Sequence, residues 1–175
     1  TIYWVPTALS IVANWKVLDY VSLPYMEKVL FAGEVMPVKQ LNYWRKKMPE
    51  LLYANLYGPT EVTDICAYYI VDRDFADSET LPIGRACDNC DLIILREDGT
   101  EAAPGEIVEL CVRGSFVAGG YYGDPDKTGA AFIQNPLNPW YPEKIYKTGD
   151  LVRYNDRGEL LYLGRRDFQI KHMGY

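Results

Sequence analysis

The sequence predicts an α/β protein in two parts: a partial parallel α/β sheet subdomain, followed by a small, distorted antiparallel β-barrel subdomain. Three observations carry this. Over roughly the first 76 residues, short apolar runs alternate with stretches whose apolar residues recur at helical spacing. From about residue 80 the helical spacing gives way to short strand-like runs punctuated by turns such as E-D-G-T (97–100) and N-D-R-G (155–158). The polar stretch 72–80, D-R-D-F-A-D-S-E-T, lies between the two regimes.

Ile2–Val5 reads as a short strand, and Pro6-Thr7 then opens a helix with apolar residues at 8, 9, 11, 12, 15 and 18. Val29–Ala32 is a buried strand ending at Gly33-Glu34. Pro37 suits a first helical position, and Val38, Leu41, Trp44 and Met48 form the apolar stripe of a second helix. Its end carries Arg45-Lys46-Lys47, where basic side chains complement the helix dipole. Leu51–Tyr57 and Ile65–Val71 follow as strands. Strand–helix–strand–helix–strand implies parallel pairing, and in such sheets ligands gather at the carboxyl ends of strands. Both Gly33-Glu34 and Tyr57–Glu61 fall at such ends. In the second part, Asp91–Leu95, Ile107–Val112, Leu151–Tyr154 and Glu159–Leu163 read as hairpin strands, with one short helix near Lys127–Phe132. The expected division is 1–76, 77–163 and a final segment 164–175.

Composition narrows the function. Of 175 residues 49% are hydrophobic, enough for a real core, and no apolar run approaches the ~20 residues of a membrane span. The net charge is −6 and the bases are scattered, which argues against nucleic acid as a partner. No signal peptide is visible; the chain starts at Thr1 inside a strand and stops at Gly174-Tyr175, as expected of a piece of a longer protein. The cysteines are Cys66, Cys87, Cys90 and Cys111. Cys87 and Cys90 form a C-x-x-C, but there is one histidine, His172, and the other two cysteines lie singly in apolar runs. Reduced thiols of a cytoplasmic protein are the favoured reading; a metal or redox role for the 87/90 pair stays open.

The stretch N-L-Y-G-P-T-E-V-T-D (55–64) carries the first chemistry. Its ring offers a flat face to a base, its hydroxyl a donor to phosphate, its carboxylate an oxygen ligand for Mg²⁺. A tight turn with incidental polar residues explains it equally well on its own. In Y-K-T-G-D-L (146–151), an Asp at a β-turn could accept from vicinal hydroxyls or simply cap its turn. In G-R-R-D-F-Q-I-K (164–171), an Arg fork could reach phosphate or ribose, or be a solvated strand end.

Four motifs in order, A-G-E (32–34), N-L-Y-G-P-T-E (55–61), G-E-I-V-E-L-C-V-R-G with G-G-Y-Y (105–122), and Y-K-T-G-D-L with G-R-R-D-F-Q-I-K, strongly resemble the adenylate-forming (AMP-binding) superfamily. The resemblance spans essentially the whole chain. Its wording is nearest the amino-acid adenylation domains of nonribosomal peptide synthetases and the D-alanine–carrier protein ligases, as a fragment of their large N-terminal domain. It implies ATP and Mg²⁺ as cofactors, an amino acid or other carboxylic acid as substrate, and a carrier-protein phosphopantetheine or CoA thiol as acceptor. It implies that Tyr57 stacks on adenine with Gly33, Glu34, Asn55 and Gly58 around the nucleotide. Thr60 would contact the α-phosphate, Glu61 would bind Mg²⁺, and Asp150 would hold the ribose hydroxyls, helped by Arg165. Lys171 is a weaker ribose candidate, and Asp167 is the expected hinge within 164–175 toward a C-terminal domain.

The resemblance further places Tyr3, Leu30, Ala32, Leu56, Asp64 and Ile65 around the carboxylate substrate. Asp64 departs from an apolar lining; it either meets a polar or cationic group of the substrate or points to solvent. Gly119 departs too, standing where many relatives carry Arg. The family's phosphate loop would lie before Thr1, and its catalytic lysine after Tyr175. The chain alone is therefore expected to be inert, because the missing charge stabilisation supplies several kcal/mol in comparable sites. Pyrophosphate exchange by the chain alone would refute that. Two alternatives remain: an acyl- or aryl-CoA synthetase of the same superfamily, and a non-catalytic β-rich interaction module, which predicts no protection of Tyr57 or Asp150 by ATP analogues.

Overall fold

A computed structural model of the chain describes residues 1–166. Its first sheet contains β1 (Ile2–Trp4), β2 (Lys28–Phe31), β3 (Leu52–Tyr57), β4 (Ala67–Ile70) and β5 (Arg85–Ala86), paired in that order. β1, β2 and β3 are parallel, with Tyr3 opposite Leu30 and Leu30 opposite Ala54. The long links between them hold helices α1 (Pro6–Asn14) and α2 (Val38–Lys47), as parallel crossovers require. β3 and β4 are joined by a short loop with no α-helix and pair antiparallel, as β4 and β5 do. The sheet is therefore mixed, and its last strand lies past residue 76.

Both helices bury one stripe; α1 starts at Pro6, whereas Pro37, expected as the first helical residue of α2, is its extended N-cap (ψ 121°) and the helix starts at Val38. Leu9 and Ala13 of α1, with Val38, Leu41 and Trp44 of α2, pack on Val29, Phe31 and Tyr53 of the sheet. Trp44 is 2% exposed, and its indole Nε1 donates to the Leu9 carbonyl at 3.0 Å, so the largest core side chain leaves no orphan donor.

The second sheet is wholly antiparallel and curled: β10 (Leu160–Arg165), β9 (Lys144–Tyr154), β7 (Val108–Gly114) and β6 (Cys90–Leu95) in that order, with β8 (Phe132–Gln134) also on β9. α3 (Pro125–Ala131) precedes β8, and Asp124 caps it by accepting from the Lys127 amide at 2.9 Å. The two sheets share a core in which Tyr57, Val62, Cys66 and Ala67 meet Leu110, Val112, Val152 and Leu160.

One expectation is corrected here. The segment Y-K-T-G-D-L is not a turn before a strand; it is the middle of the eleven-residue β9. The register against β7 shifts between Glu109 and Cys111, opposite Thr148–Asp150, so these residues form a β-bulge. Gly149 has φ +72°, a conformation that favours glycine, and a β-carbon there would press on the Arg165 guanidinium at 3.0 Å.

Candidate active site

The carboxyl ends of β1–β3 face the curled sheet across a cavity of about 1080 Å³. Thr60, Glu61, Asp64, Tyr3, Ala32, Gly33, Gly58 and Arg165 border it. A second cavity of about 330 Å³ adjoins it through Gly33 and Gly58 and is bordered by Glu34, Asn55, Leu56, Tyr57 and Tyr162. Leu30 and Ile65 border neither of these two cavities. Asp167 and Lys171 lie outside the described residues.

Each strand end is shaped by local chemistry. At β2, Gly33 adopts φ +89°, which turns the chain so that the Glu34 carboxylate reaches back to α1. There it accepts from the Thr7 amide (2.8 Å) and hydroxyl (2.6 Å), an acidic group at a helix start. At β3, Asn55 donates to the Pro82 carbonyl at 2.8 Å and Tyr57 ends the strand. Gly58 follows because nothing larger fits: a β-carbon would lie 1.9 Å from the Asp64 carbonyl oxygen. Thr60–Val62 then forms one 3₁₀ turn, and Thr63 and Asp64 both take positive φ, +55° and +78°. Two consecutive non-glycine residues there store backbone strain of a kind concentrated at functional sites. The tight loop is what aims Asp64 back toward β1, where the Tyr3 hydroxyl donates to its carboxylate at 3.3 Å.

Glu61 is half-buried and accepts from the Tyr121 hydroxyl at 2.7 Å. Burial opposes its ionisation, but the Tyr121 bond, backbone and Tyr146 contributions and the Arg165 charge outweigh it, holding the carboxyl below its ordinary range. Asp150 is 1% exposed and borders neither cavity. Its carboxylate accepts from Tyr57 and lies 3.4 Å from Arg165 Nη1, which also donates to the Thr148 carbonyl at 2.8 Å. Burial and then the Asp150 charge push the Tyr57 phenol well above its ordinary pKa, so it is held as a donor.

Several residues escaped the sequence reading. Tyr121 and Tyr146 stand inside motifs already quoted, but nothing in their spacing tied them to Glu61. Tyr162 lies 6.3 Å from Tyr57 between ring centroids and lines the smaller cavity, with no sequence signal beyond a strand position. Lys127, Lys147 and Arg166 bring positive charge to the larger cavity. Gly119 leaves open space, and its carbonyl accepts from Lys144 Nζ at 2.9 Å. All four cysteines are free, and Cys90 Sγ donates to the Cys66 carbonyl at 3.0 Å. Burial raises every one of these thiols, Cys111 to about 12, which disfavours the thiolate needed for nucleophilic or metal chemistry. Among the described residues no group of three or more His, Cys, Asp or Glu is placed to hold a metal, and no helix is long and apolar enough to cross a membrane.

The Thr60 hydroxyl, the half-buried Glu61 carboxylate and a ring-lined side cavity converge at one sheet end, and residues 1–122 match the AMP-binding enzyme family. The chain belongs to this family of adenylate-forming ligases. It is 39% identical over 154 residues to a D-alanine--D-alanyl carrier protein ligase of Bacillus cytotoxicus, a match covering 87% of the chain and 29% of that protein. It is 37% identical over 150 residues to gramicidin S synthase 2 of Brevibacillus brevis, covering 86% of the chain and 3% of that synthase. Its fold matches holo-PA1221, an NRPS protein containing adenylation and PCP domains, with TM-score 0.89 and 30% identity over 99% of the chain and 30% of that protein. The chain thus spans under a third of the length of these relatives, and its two-sheet architecture is that of the adenylation-domain neighbour.

Proposed function

We propose that the chain is part of an ATP-dependent ligase that activates a carboxylate, an amino acid by preference, as its acyl-adenylate and passes the acyl group to a carrier-protein phosphopantetheine thiol. The observation that carries this reading is the placement of Thr60 and Glu61 on the larger cavity beside a ring-lined smaller one, with Gly33 and Gly58 between. In the first step a substrate carboxylate oxygen bonds to the α-phosphorus of ATP and pyrophosphate leaves. In the second the acceptor sulfur bonds to the acyl carbon, the thiol proton is lost and AMP leaves.

The chain's contribution is positioning and charge, as in other phosphoryl chemistry. Tyr57 and Tyr162 offer aromatic faces to adenine. Arg165, Thr148 and Gly149 border the larger cavity at the ribose end, with the buried Asp150 carboxylate directly behind Arg165. Thr60 donates to the α-phosphate, and Arg165, Lys127 and Lys147 supply compensating charge. Glu61 would hold Mg²⁺ through an oxygen of its ionised carboxylate. A hydroxyl and one carboxylate suit a hard cation that keeps several waters and shares the nucleotide's phosphates; they do not form a closed protein cage. Bound Mg²⁺ neutralises phosphate charge. Tyr3, Ala32 and Asp64 border the space left for the carboxylate substrate.

ATP–pyrophosphate exchange by the full-length protein, run across a panel of amino, aryl and fatty acids, tests the proposal. Amino-acid dependence supports it, and turnover with fatty or aryl acids alone replaces it with a CoA-ligase reading. The same assay on the chain alone is expected to give no exchange. Absence of exchange by the full-length protein with every acid, together with no ATP-analogue protection of Tyr57 or Asp150, leaves only the interaction-module reading.

A further inference from the structure

We infer that Tyr121 is the positioning residue of the Glu61 carboxylate, and that the loop between β7 and α3 exists in this form to aim it. The inference rests on the metal role given to Glu61 above. Glu61 stands on a single 3₁₀ turn, Thr60–Val62, so its own element does little to fix a flexible side chain. The fixing comes from the other sheet. The Tyr121 hydroxyl donates to Glu61 Oε1 at 2.7 Å, and the Tyr146 hydroxyl of β9 stands 3.5 Å behind it.

Tyr121 is itself held from every side. Its amide donates to Thr128 Oγ1 of α3 at 2.8 Å, its ring meets Phe132 edge-on at 5.5 Å between centroids, and Lys127 Nζ lies 4.3 Å above the ring. Gly120 has φ +147°, and a β-carbon there would lie 2.4 Å from Thr128 Cγ2, so glycine lets the loop close onto α3. The same loop is bolted to the Thr60–Asp64 segment at two further points. Ala118 N donates to the Glu61 carbonyl at 2.8 Å, and Thr63 Oγ1 donates to the Phe116 carbonyl at 2.8 Å. Backbone and side chain of Glu61 are thus both tied to one loop. A hydrogen-bonded carboxylate whose own partner is locked by packing is how outer residues set the orientation of a metal ligand.

The test measures Mn²⁺ binding, by the EPR signal of the free ion, to the full-length protein holding a non-hydrolysable ATP analogue. Tyr121→Phe keeps the ring and removes only the hydroxyl; it is expected to weaken Mn²⁺ binding about tenfold. Glu61→Gln should weaken it more, and the double variant should bind no worse than Glu61→Gln. Tyr121 lines the larger cavity, but the phenyl ring of Tyr121→Phe keeps that wall and the hydroxyl it removes is engaged with Glu61, so metal-free affinity for the analogue should stay within about twofold. Thr128→Val, which removes the acceptor of the Tyr121 amide, should give a smaller loss in the same direction and serves if Tyr121→Phe does not fold. Wild-type Mn²⁺ affinity in Tyr121→Phe, with Glu61→Gln impaired, overturns the inference and leaves the role of Glu61 standing. An undiminished effect of Tyr121→Phe in the Glu61→Gln background also overturns it, by showing a general structural role. Unchanged binding in Glu61→Gln removes the metal role itself.

Discussion

The Tyr57 hydroxyl donates a hydrogen bond to the Asp150 carboxylate, joining the end of β3 to the bulge of β9. Two residues that the sequence assigns separately, one to the base and one to the ribose, are thus each other's partners at the seam of the two sheets. The bulge makes this possible. Thr148 turns its hydroxyl to accept the Asp150 amide at 3.0 Å while donating to the Leu110 carbonyl at 2.7 Å, which fixes the carboxylate in the seam.

Tyr57→Phe should therefore act on stability more than on base stacking. It keeps the ring but takes one donor from a carboxylate that is 1% exposed. Loss of a hydrogen bond to a buried charged group predicts destabilisation of about 1.5–3 kcal/mol, read as a lower urea midpoint at unchanged slope. An unaltered midpoint would show that the seam does not depend on this bond. Asp150→Ala should impair nucleotide affinity more than Tyr57→Phe does.

A second tie across the seam titrates. Glu159, in the β9–β10 hairpin, accepts from Tyr69 at 2.9 Å and Asn155 at 2.8 Å, and pairs with Arg73 at 3.2 Å. Burial would raise its pKa, but the bonds from Asn155, Arg73 and Tyr69 outweigh burial and lower it. With the folded pKa below the unfolded value of about 4.3, the stabilisation is complete above that pH and is lost as pH falls through the folded value. Glu159→Gln should cost about 1.5–3 kcal/mol at neutral pH. Its deficit should shrink toward zero in acid. A deficit independent of pH from 7 to 3 would disprove the linkage.

Gly58→Ala should be far more severe than an ordinary loop change. The added methyl would collide with the Asp64 carbonyl and press on the Ile65 backbone, neither of which is a flexible side-chain end. Relief requires moving the Thr60–Asp64 loop, which carries the hydroxyl and both carboxylates of the site. Expected is loss of ATP-analogue binding by tenfold or more together with a lower melting temperature. Gly119→Ala, at an open position, is the control and should change neither.

The fold was legible where period and punctuation agree. The helical stripe of Val38, Leu41 and Trp44 and the strands around it read directly, because crossover helices force parallel pairing. β5, two residues long, and β8, whose Phe132 reads as a helix end, are too short to carry a period. They exist because neighbouring strands offer open edges. Y-K-T-G-D-L reads locally as a turn, although glycine inside a strand equally marks a bulge; the choice depends on pairing with β7, which no local pattern contains. Tyr57, Thr60 and Glu61 can be grouped from sequence because they fall within five consecutive positions. Tyr121 and Tyr162 carry no such signal, because they reach Glu61 and Tyr57 through tertiary contacts from 60 and 105 positions away.

Asp64 offers the sharpest test of substrate choice. It borders the larger cavity from a strained, positive-φ position, and Tyr3 from β1 donates to its carboxylate. That bond leaves the carboxylate able to accept from a donor on the substrate, so an acid bearing an amine or hydroxyl on its side chain should be favoured over its apolar analogue. Asp64→Ala should reduce the ratio of kcat/KM values between two such acids by about 10- to 100-fold, the scale of about 1.4–2.7 kcal/mol of differential transition-state binding. Tyr3→Phe should shift the ratio less and in either acid's favour only through Asp64, so it should have no effect once Asp64 is Ala. If pyrophosphate exchange shows the same acid profile in wild type and Asp64→Ala, the carboxylate faces solvent and selects nothing.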